Sequence, residues 1–455
     1  MKYKRAKIFI NKPENKALIR NKKNKIFTNL KKKNKKQRKQ KSKYPWIKYN
    51  IFIISIIIAL SVFYLIKNDK ININRIFSYK RGISDIYFDE KFPLLKESFE
   101  KAKSFLDQCL KGNIINNQTF KASKNPKISA IITLNNCQKT VSRAIKSIQN
   151  QNITDIEIIL VNDFSKDNTF SIIEEVAKTD PRIRIINNKK NMGTYYCRSI
   201  GVLSSKGKHV FHLDCDDMIL DRDVFSTVTN IANKGDFDII NFRAGFALHS
   251  SNLLNARIVE NYFSNHTSGL VLKQPEMGLY PFRPGKVYGK YEITDSYIWL
   301  KCVKTSVYQK VVNKVGEERY TRYQVLEEDR TDIYALHQTG ESMKYIGKYG
   351  YLKIQTPASM TWRHHKKKET VITKLYFNDI SIDFSKDTIE SKKVLVYFIT
   401  DLMEYKEFEE VMKEKEYYKK LFMSCIERLL KSKYIENEDK EEIKRRVSKY
   451  DILKS

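Results

Sequence analysis

Three carboxylates crowd a single stretch of this chain, Asp214-Cys215-Asp216-Asp217. Carboxylate oxygens are hard ligands that suit Mg2+ or Mn2+. An ion held by them can grip a diphosphate and stabilise it as it leaves. Asp163, which follows Asn162, can accept a hydrogen bond from a base N–H and so select a nucleotide. Two further polar clusters, Thr133-Leu134-Asn135-Asn136 and Asn191-Met192-Gly193, lie between and before these groups. A lone Asp-x-Asp is common in solvated turns. Its meaning depends on whether one edge of a fold gathers all four segments.

The elements that would position them can be read from hydrophobic pattern. Ile128 to Leu134 is a short, continuous apolar run, as in a strand buried on both faces of a parallel sheet. Val141 to Ile148 places Val141, Ala144, Ile145 and Ile148 on one helical face. Strands are expected at Glu157 to Val161, Arg182 to Ile186 and His209 to Leu213, with helices at Asn168 to Ala177 and Gly193 to Leu203. This alternation predicts an open α/β sheet of the doubly wound type. Ligands of such sheets bind outside the carboxyl ends of the strands. Thr133, Asn135, Asp163 and the 214–217 cluster all fall there.

Read together, ISAIITLNN, SIQNQNITDIEIILVNDFSKDNT and NKKNMGTYYCRSIGVLSSKGKHVFHLDCDD resemble family 2 of the glycosyltransferases, whose fold is GT-A, a Rossmann-like nucleotide-diphospho-sugar transferase architecture. The resemblance runs through about ninety residues and keeps four motifs in order. It implies an inverting transfer from a nucleotide sugar, often a UDP-sugar, with Mn2+ or Mg2+ as cofactor. Thr133, Asn135 and Asp163 would then bind the nucleotide, and Asp214 would contact ribose or sugar and support the metal. Asp216 would be the principal metal ligand, and Arg198 would face the acidic edge. The family supplies its catalytic base from a Glu-Asp pair downstream. Glu327-Glu328-Asp329 lies at that distance, which implies Asp329 as base and Glu328 beside the acceptor, or Glu328 as base if the register slips by one. Trp362-Arg363-His364-His365 resembles an aromatic-Arg-x-His segment and makes His365 a candidate for the metal or a phosphate, a lysine-rich surface loop being the other reading. Trp299 resembles an acceptor-side tryptophan, a core position being the alternative. One departure is plain: the usual Asp-Asp-Gly-Ser is Asn162-Asp163-Phe164-Ser165, which bears on the base pocket.

The remaining chain sets context. The formal net charge is +33, yet about twenty Lys or Arg and one acid, Glu14, lie between Met1 and Lys48. Beyond that tail no patch joins basic density to stacking aromatics, which argues against a nucleic-acid partner. Ile51 to Ile66, IFIISIIIALSVFYLI, reads as an uncleaved anchor within 49–67. The basic tail would keep 1–48 in the cytosol and send the rest across, in the type II manner of Golgi or endoplasmic-reticulum enzymes. A stem (68–125), a GT-A domain (126–372) and a helical C-terminal region (373–455) are expected to follow. The last should hold three helices near Ser391–Lys406, Phe408–Leu430 and Asp439–Tyr450. Cys137 and Cys215 read as free thiols. The expected partners are a nucleotide-sugar donor, a glycan, glycoprotein or lipid acceptor, and a second copy of the chain as a homodimer. The competing readings are a dolichyl-phosphate sugar synthase facing the cytosol and an inactive carbohydrate-binding or scaffold protein.

Overall fold

The computed structural model describes residues 120–248, 258–260, 271–274, 282–284, 291–293, 297–321, 328–355 and 367–451, with helical positions 101, 104–105 and 107–109 ahead of them. The expected tail, the 49–67 anchor and most of the 68–125 stem lie outside these residues. No helix among those described is long and apolar enough to cross a membrane.

The apolar runs form the strands β1 (Ile128–Leu134), β2 (Ile156–Asn162), β3 (Ile183–Asn187) and β4 (His209–Asp214). Between them run α1 (Val141–Gln149), α2 (Thr169–Thr179) and α3 (Thr194–Ser204). Every residue of β2 is buried, as a strand covered on both faces requires. The expected α1 face of Val141, Ala144, Ile145 and Ile148 is fully buried.

The chain continues through β5 (Met218–Ile219), α4 (Val224–Lys234), β6 (Ile239–Leu248), β7 (Ile258–Glu260), β8 (Val271–Lys273), β9 (Phe282–Pro284) and β10 (Tyr291–Ile293). A short 3-10 turn at Ile298–Leu300 leads into β11 (Lys301–Lys304), α5 (Thr305–Val315), α6 (Glu317–Thr321), α7 (Glu328–Thr339) and β12 (Ser342–Gln355). The main sheet runs β3-β2-β1-β4-β11-β6-β12-β5, with β7 on β6 and β8 on β12, while β9 and β10 form a separate hairpin.

The first part of this sheet follows the parallel pattern expected, and β12 is also parallel to β6. β11 is antiparallel to both β4 and β6, and β5 is antiparallel to β12, so the sheet is mixed. Its parallel half grows outward from β1 to β2 and β3, then returns to place β4 on the other side of β1. That reversal opens a crevice at the carboxyl ends of β1 and β4.

The C-terminal segment is α8 (Lys367–Phe384), α9 (Ile389–Met403), α10 (Phe408–Glu414), α11 (Glu416–Leu430) and α12 (Asn437–Val447). The boundary expected at 372/373 therefore falls inside α8. The single helix expected over Phe408–Leu430 breaks at Lys415, whose backbone is extended (φ −144°, ψ 127°). The break lets α10 fold against α11, with the Phe408 and Phe422 rings 5.0 Å apart, edge to face. A straight helix would hold those rings apart. Among the stem positions, Phe105 and Cys109 are buried, and Asn150 reaches the Cys109 sulfur at 3.7 Å. This end of the stem packs on the domain.

Candidate active site

Strand register fixes the rim. Thr133 pairs with Asp214 across β1–β4, and Leu134 with Asn162 across β1–β2, so the three strand ends stop level. The loops beyond β1 and β2 are laced together. Asn135 Nδ2 donates to the Asp163 carbonyl (2.6 Å), the Asn136 amide to Ser165 Oγ (3.0 Å), and the Lys166 amide to Asn136 Oδ1 (2.7 Å). Asn136 and Phe164 both adopt left-handed backbone (φ 56° and 57°), and Phe164 stays 37% exposed with the Lys166 ammonium 3.3 Å from its ring centre. Non-glycine residues held there cost about 1–3 kcal/mol each, and such strain gathers at working sites.

Asp163 accepts from the Met192 amide (2.7 Å), the Gly193 amide (2.9 Å) and Asn188 Nδ2 (3.0 Å). It thereby fastens the Asn191-Met192-Gly193 turn that starts α3. Gly193, at φ 86°, occupies backbone that an L side chain rarely adopts.

In the aspartate cluster, one carboxylate oxygen each from Asp214, Asp216 and Asp217 lies within 4.8 Å of the others. Three hard donors at that spacing fit a divalent ion of the Mn2+ or Mg2+ type. The three are not equivalent. Asp217 is fully buried and accepts from the Tyr351 hydroxyl (2.6 Å), Lys353 Nζ (2.9 Å) and the Ile354 amide (2.7 Å). Burial pushes its carboxyl up to about 7 against the pull of Lys353. Asp214 is shared between Arg198 (3.1 Å) and Lys353 (3.0 Å). Burial would raise its carboxyl, but Lys353 and then Arg198 overcome that and hold it well below the usual range. The Asp216 carbonyl accepts from the Arg143 guanidinium, but its carboxylate accepts from no other residue among those described, and burial raises its carboxyl. It is the carboxylate left to take a ligand.

Arg198, on the inner face of α3 and 5% exposed at its side chain, joins this cluster to the downstream pair. One guanidinium nitrogen donates to Asp214. The other donates to Asp329 and, at 3.3 Å, to Glu328. Glu328 and Asp329 open α7, where the helix N-terminus favours negative charge. Burial raises both carboxyls although Arg198 opposes it. Behind them, Asp332 accepts from the Tyr308 hydroxyl, and burial lifts it to about 7.

The structure thus brings Thr133, Asn135, Asp163, Arg198, Asp214, Asp216, Glu328 and Asp329 to one edge. His365 lies outside the described residues. Trp299 is a core residue, 4% exposed and stacked 4.6 Å from Tyr351. The free thiols expected at Cys137 and Cys215 are instead joined as a disulfide, with Cα atoms 6.2 Å apart. The reason is topological: the β1 and β4 loops leave adjacent strands at the same level, which brings two cysteines separated by 78 residues together. Lys353 and Tyr351 escaped the sequence reading. No local pattern marks them, since the register of β12 on β6 shifts between Tyr349 and Tyr351 and breaks the alternation that would place them on one face.

An α/β sheet whose switch point carries an acidic cluster is consistent with the GT-A fold. Residues 129–278 match the model of glycosyl transferase family 2. Among curated relatives, an uncharacterized glycosyltransferase of Haemophilus influenzae is 40% identical over 93 residues, 20% of this chain and 29% of that protein. The GalNAc(5)-diNAcBac-PP-undecaprenol beta-1,3-glucosyltransferase of Campylobacter jejuni is 38% identical over 111 residues, 24% of this chain and 36% of that protein. The chain spans about a third of the length of these relatives. Among solved structures, S. aureus TarS 1-349 in complex with UDP covers 72% of this chain and 88% of its own, with 15% identity and a TM-score of 0.48.

Proposed function

We propose that the protein transfers a sugar, with inversion, from a nucleotide-sugar donor of the UDP class to a hydroxyl of a glycan, glycoprotein or lipid acceptor. The observation that carries this reading is the Arg198 bridge. It puts the metal-type cluster and the Glu328/Asp329 pair in one site, although they are 114 residues apart from Asp214 to Glu328.

The chemistry follows from that juxtaposition. A carboxylate of the pair takes the proton from the acceptor hydroxyl, with Asp329 the base and Glu328 beside it. The freed oxygen bonds to the anomeric carbon as the bond from that carbon to the diphosphate breaks on the opposite side. Asp216, supported by Asp214, would hold Mn2+ or Mg2+, which would supply Lewis-acid stabilisation of the leaving diphosphate. Arg198 keeps the base pair and the cluster at fixed separation, and the loops joined by Asn135, Asn136 and Asp163 hold the nucleotide end. Burial around the pair keeps water from competing with the acceptor. The apolar 51–66 segment would tether this domain beside a membrane-borne acceptor.

The test is a panel of nucleotide sugars offered to the full-length protein with Mn2+ or with EDTA, reading donor consumption and nucleoside diphosphate release. Metal-dependent release from one donor is the expected result. Failure of every nucleotide sugar and of UDP to bind would overturn the reading.

A further inference from the structure

Lys353 holds the place at which a cation would touch two of the three cluster carboxylates. Its Nζ lies 3.0 Å from Asp214 Oδ2 and 2.9 Å from Asp217 Oδ2, and its side chain is 15% exposed. The position is set by backbone. β12 pairs with β5 through Tyr351–Ile219 and Leu352–Met218, and the Ile354 amide donates to Asp217, so the strand is clamped onto the turn that carries the cluster. The register of β12 on β6 is irregular around Tyr349, just before this segment. Such irregularities re-aim the side chains that follow.

The partners leave little for an incoming ion. The second oxygen of Asp214 is on Arg198, and the second oxygen of Asp217 is on Ile354. Lys353 and Arg198 offset two of the three cluster charges, which leaves Asp216. Mg2+ and its like are commonly held by one or two carboxylates completed by substrate phosphates.

We propose that Lys353 is the resident counter-ion of the donor site, holding Asp214 and Asp217 so that the divalent ion is received only together with the nucleoside diphosphate. This deepens the glycosyltransferase reading and rests on it for the identity of the diphosphate. Its consequence is an ordered site. The free protein takes metal weakly, and the phosphate oxygens complete the ligand set that the protein withholds. Lys353 acts here as a positioning residue, through the carboxylates it grips.

The experiment is Mn2+ binding to the full-length protein by calorimetry and by the electron paramagnetic resonance of free Mn2+, with and without UDP. Wild type should bind Mn2+ at least tenfold more weakly without UDP than with it. Equal Mn2+ affinities in a wild type that does bind UDP would overturn the proposal without any variant. Lys353→Met and Lys353→Gln should each raise nucleotide-free Mn2+ affinity at least tenfold and close the gap to the UDP-bound value, while Lys353→Arg stays near wild type. The Gln variant removes the charge with a polar side chain one bond shorter, and reports if the Met variant does not fold. Unchanged or weakened Mn2+ affinity in a folded variant would refute the counter-ion role, since a loosened site loses metal and does not gain it. Failure of UDP to bind the Mn2+-loaded wild type would strike the glycosyltransferase reading instead, and the tightening of Mn2+ in the variants would still judge Lys353.

Discussion

Arg198 joins Asp329 to the cluster that holds Asp216 through Asp214, and single substitutions should separate the duties of Asp216 and Asp329. Asp216→Ala removes the carboxylate without a neighbouring donor, so Mn2+-dependent UDP affinity should fall at least about tenfold, while binding in EDTA stays as in wild type. Calorimetry in the two buffers reads this, and equal Mn2+-dependent binding would take the ligand role from Asp216. Asp329→Asn should keep UDP affinity and lower transfer by about 100-fold or more, because the proton acceptor is gone. Full activity would move the base to Glu328. The pH dependence has a definite sign. A base works deprotonated, and burial raises both carboxyls of the pair. Its rate should therefore fall as pH drops through that raised range, with the acid limb above the ordinary carboxylate value of about 4. The limb belongs to the pair as a unit. A profile flat down to pH 5 would contradict a buried base.

Carboxylates at strand ends and at a helix start are legible because a short motif carries their chemistry in chain order. Lys353 is not legible in that way. One lysine among the Lys and Arg that make up so much of this chain signals nothing until β5 and β12 are seen to pair.

At the scale of elements, short apolar runs had one physical outcome, and β1 to β4 fall within a residue or two of their expected bounds. The edge they share also depends on the turn between α3 and β4. There Glu157 accepts from Ser129 Oγ (2.6 Å) and from the Lys206 and Gly207 amides (2.5 and 3.1 Å), joining β1, β2 and the turn in one buried cluster. Gly207 has no room for a side chain. A Cβ there would lie 2.5 Å from the Ser129 nitrogen and 2.7 Å from the Ile128 carbonyl carbon, both backbone. Gly207→Ala must push β1 away from β4, and should destabilise by about 1–3 kcal/mol, the usual range for overpacking. Denaturant midpoints measure the loss. A neutral result would mean that β1 and the turn can part without cost, against the register that aligns Thr133 with Asp214. The antiparallel β11 and the break at Lys415 carry no such local signal. Each is decided by what packs on it, and no proline or glycine marks either place.

Over the whole molecule, the C-terminal helices belong to the same core as the sheet. Ile131, Ile159 and Val161 from one sheet face share a continuous apolar cluster with Leu336 of α7, Leu375 of α8, Leu395 of α9 and Phe422 of α11. Ion pairs run alongside: Arg319 and Arg428 both meet Asp379, the former at 3.1 Å and the latter at 2.9 Å. The pattern of charged faces in this region predicts helices but cannot say that they close over the sheet, since amphipathic periodicity names a buried face and not its partner. The consequence concerns catalysis as well as stability. α8 packs along α7, and the first turn of α7 carries Glu328 and Asp329. Leu375 is fully buried, so Leu375→Ala should cost about 2–5 kcal/mol. Because α8 packs on α7, which carries the base pair, transfer should suffer more than UDP binding at temperatures where the variant is still folded. A thermal melt with UDP binding and turnover at low temperature tests both halves. If turnover and UDP affinity fell in step, α8 would be supporting the domain as a whole. A loss confined to turnover would mark the C-terminal helices as the support that holds the base against the donor.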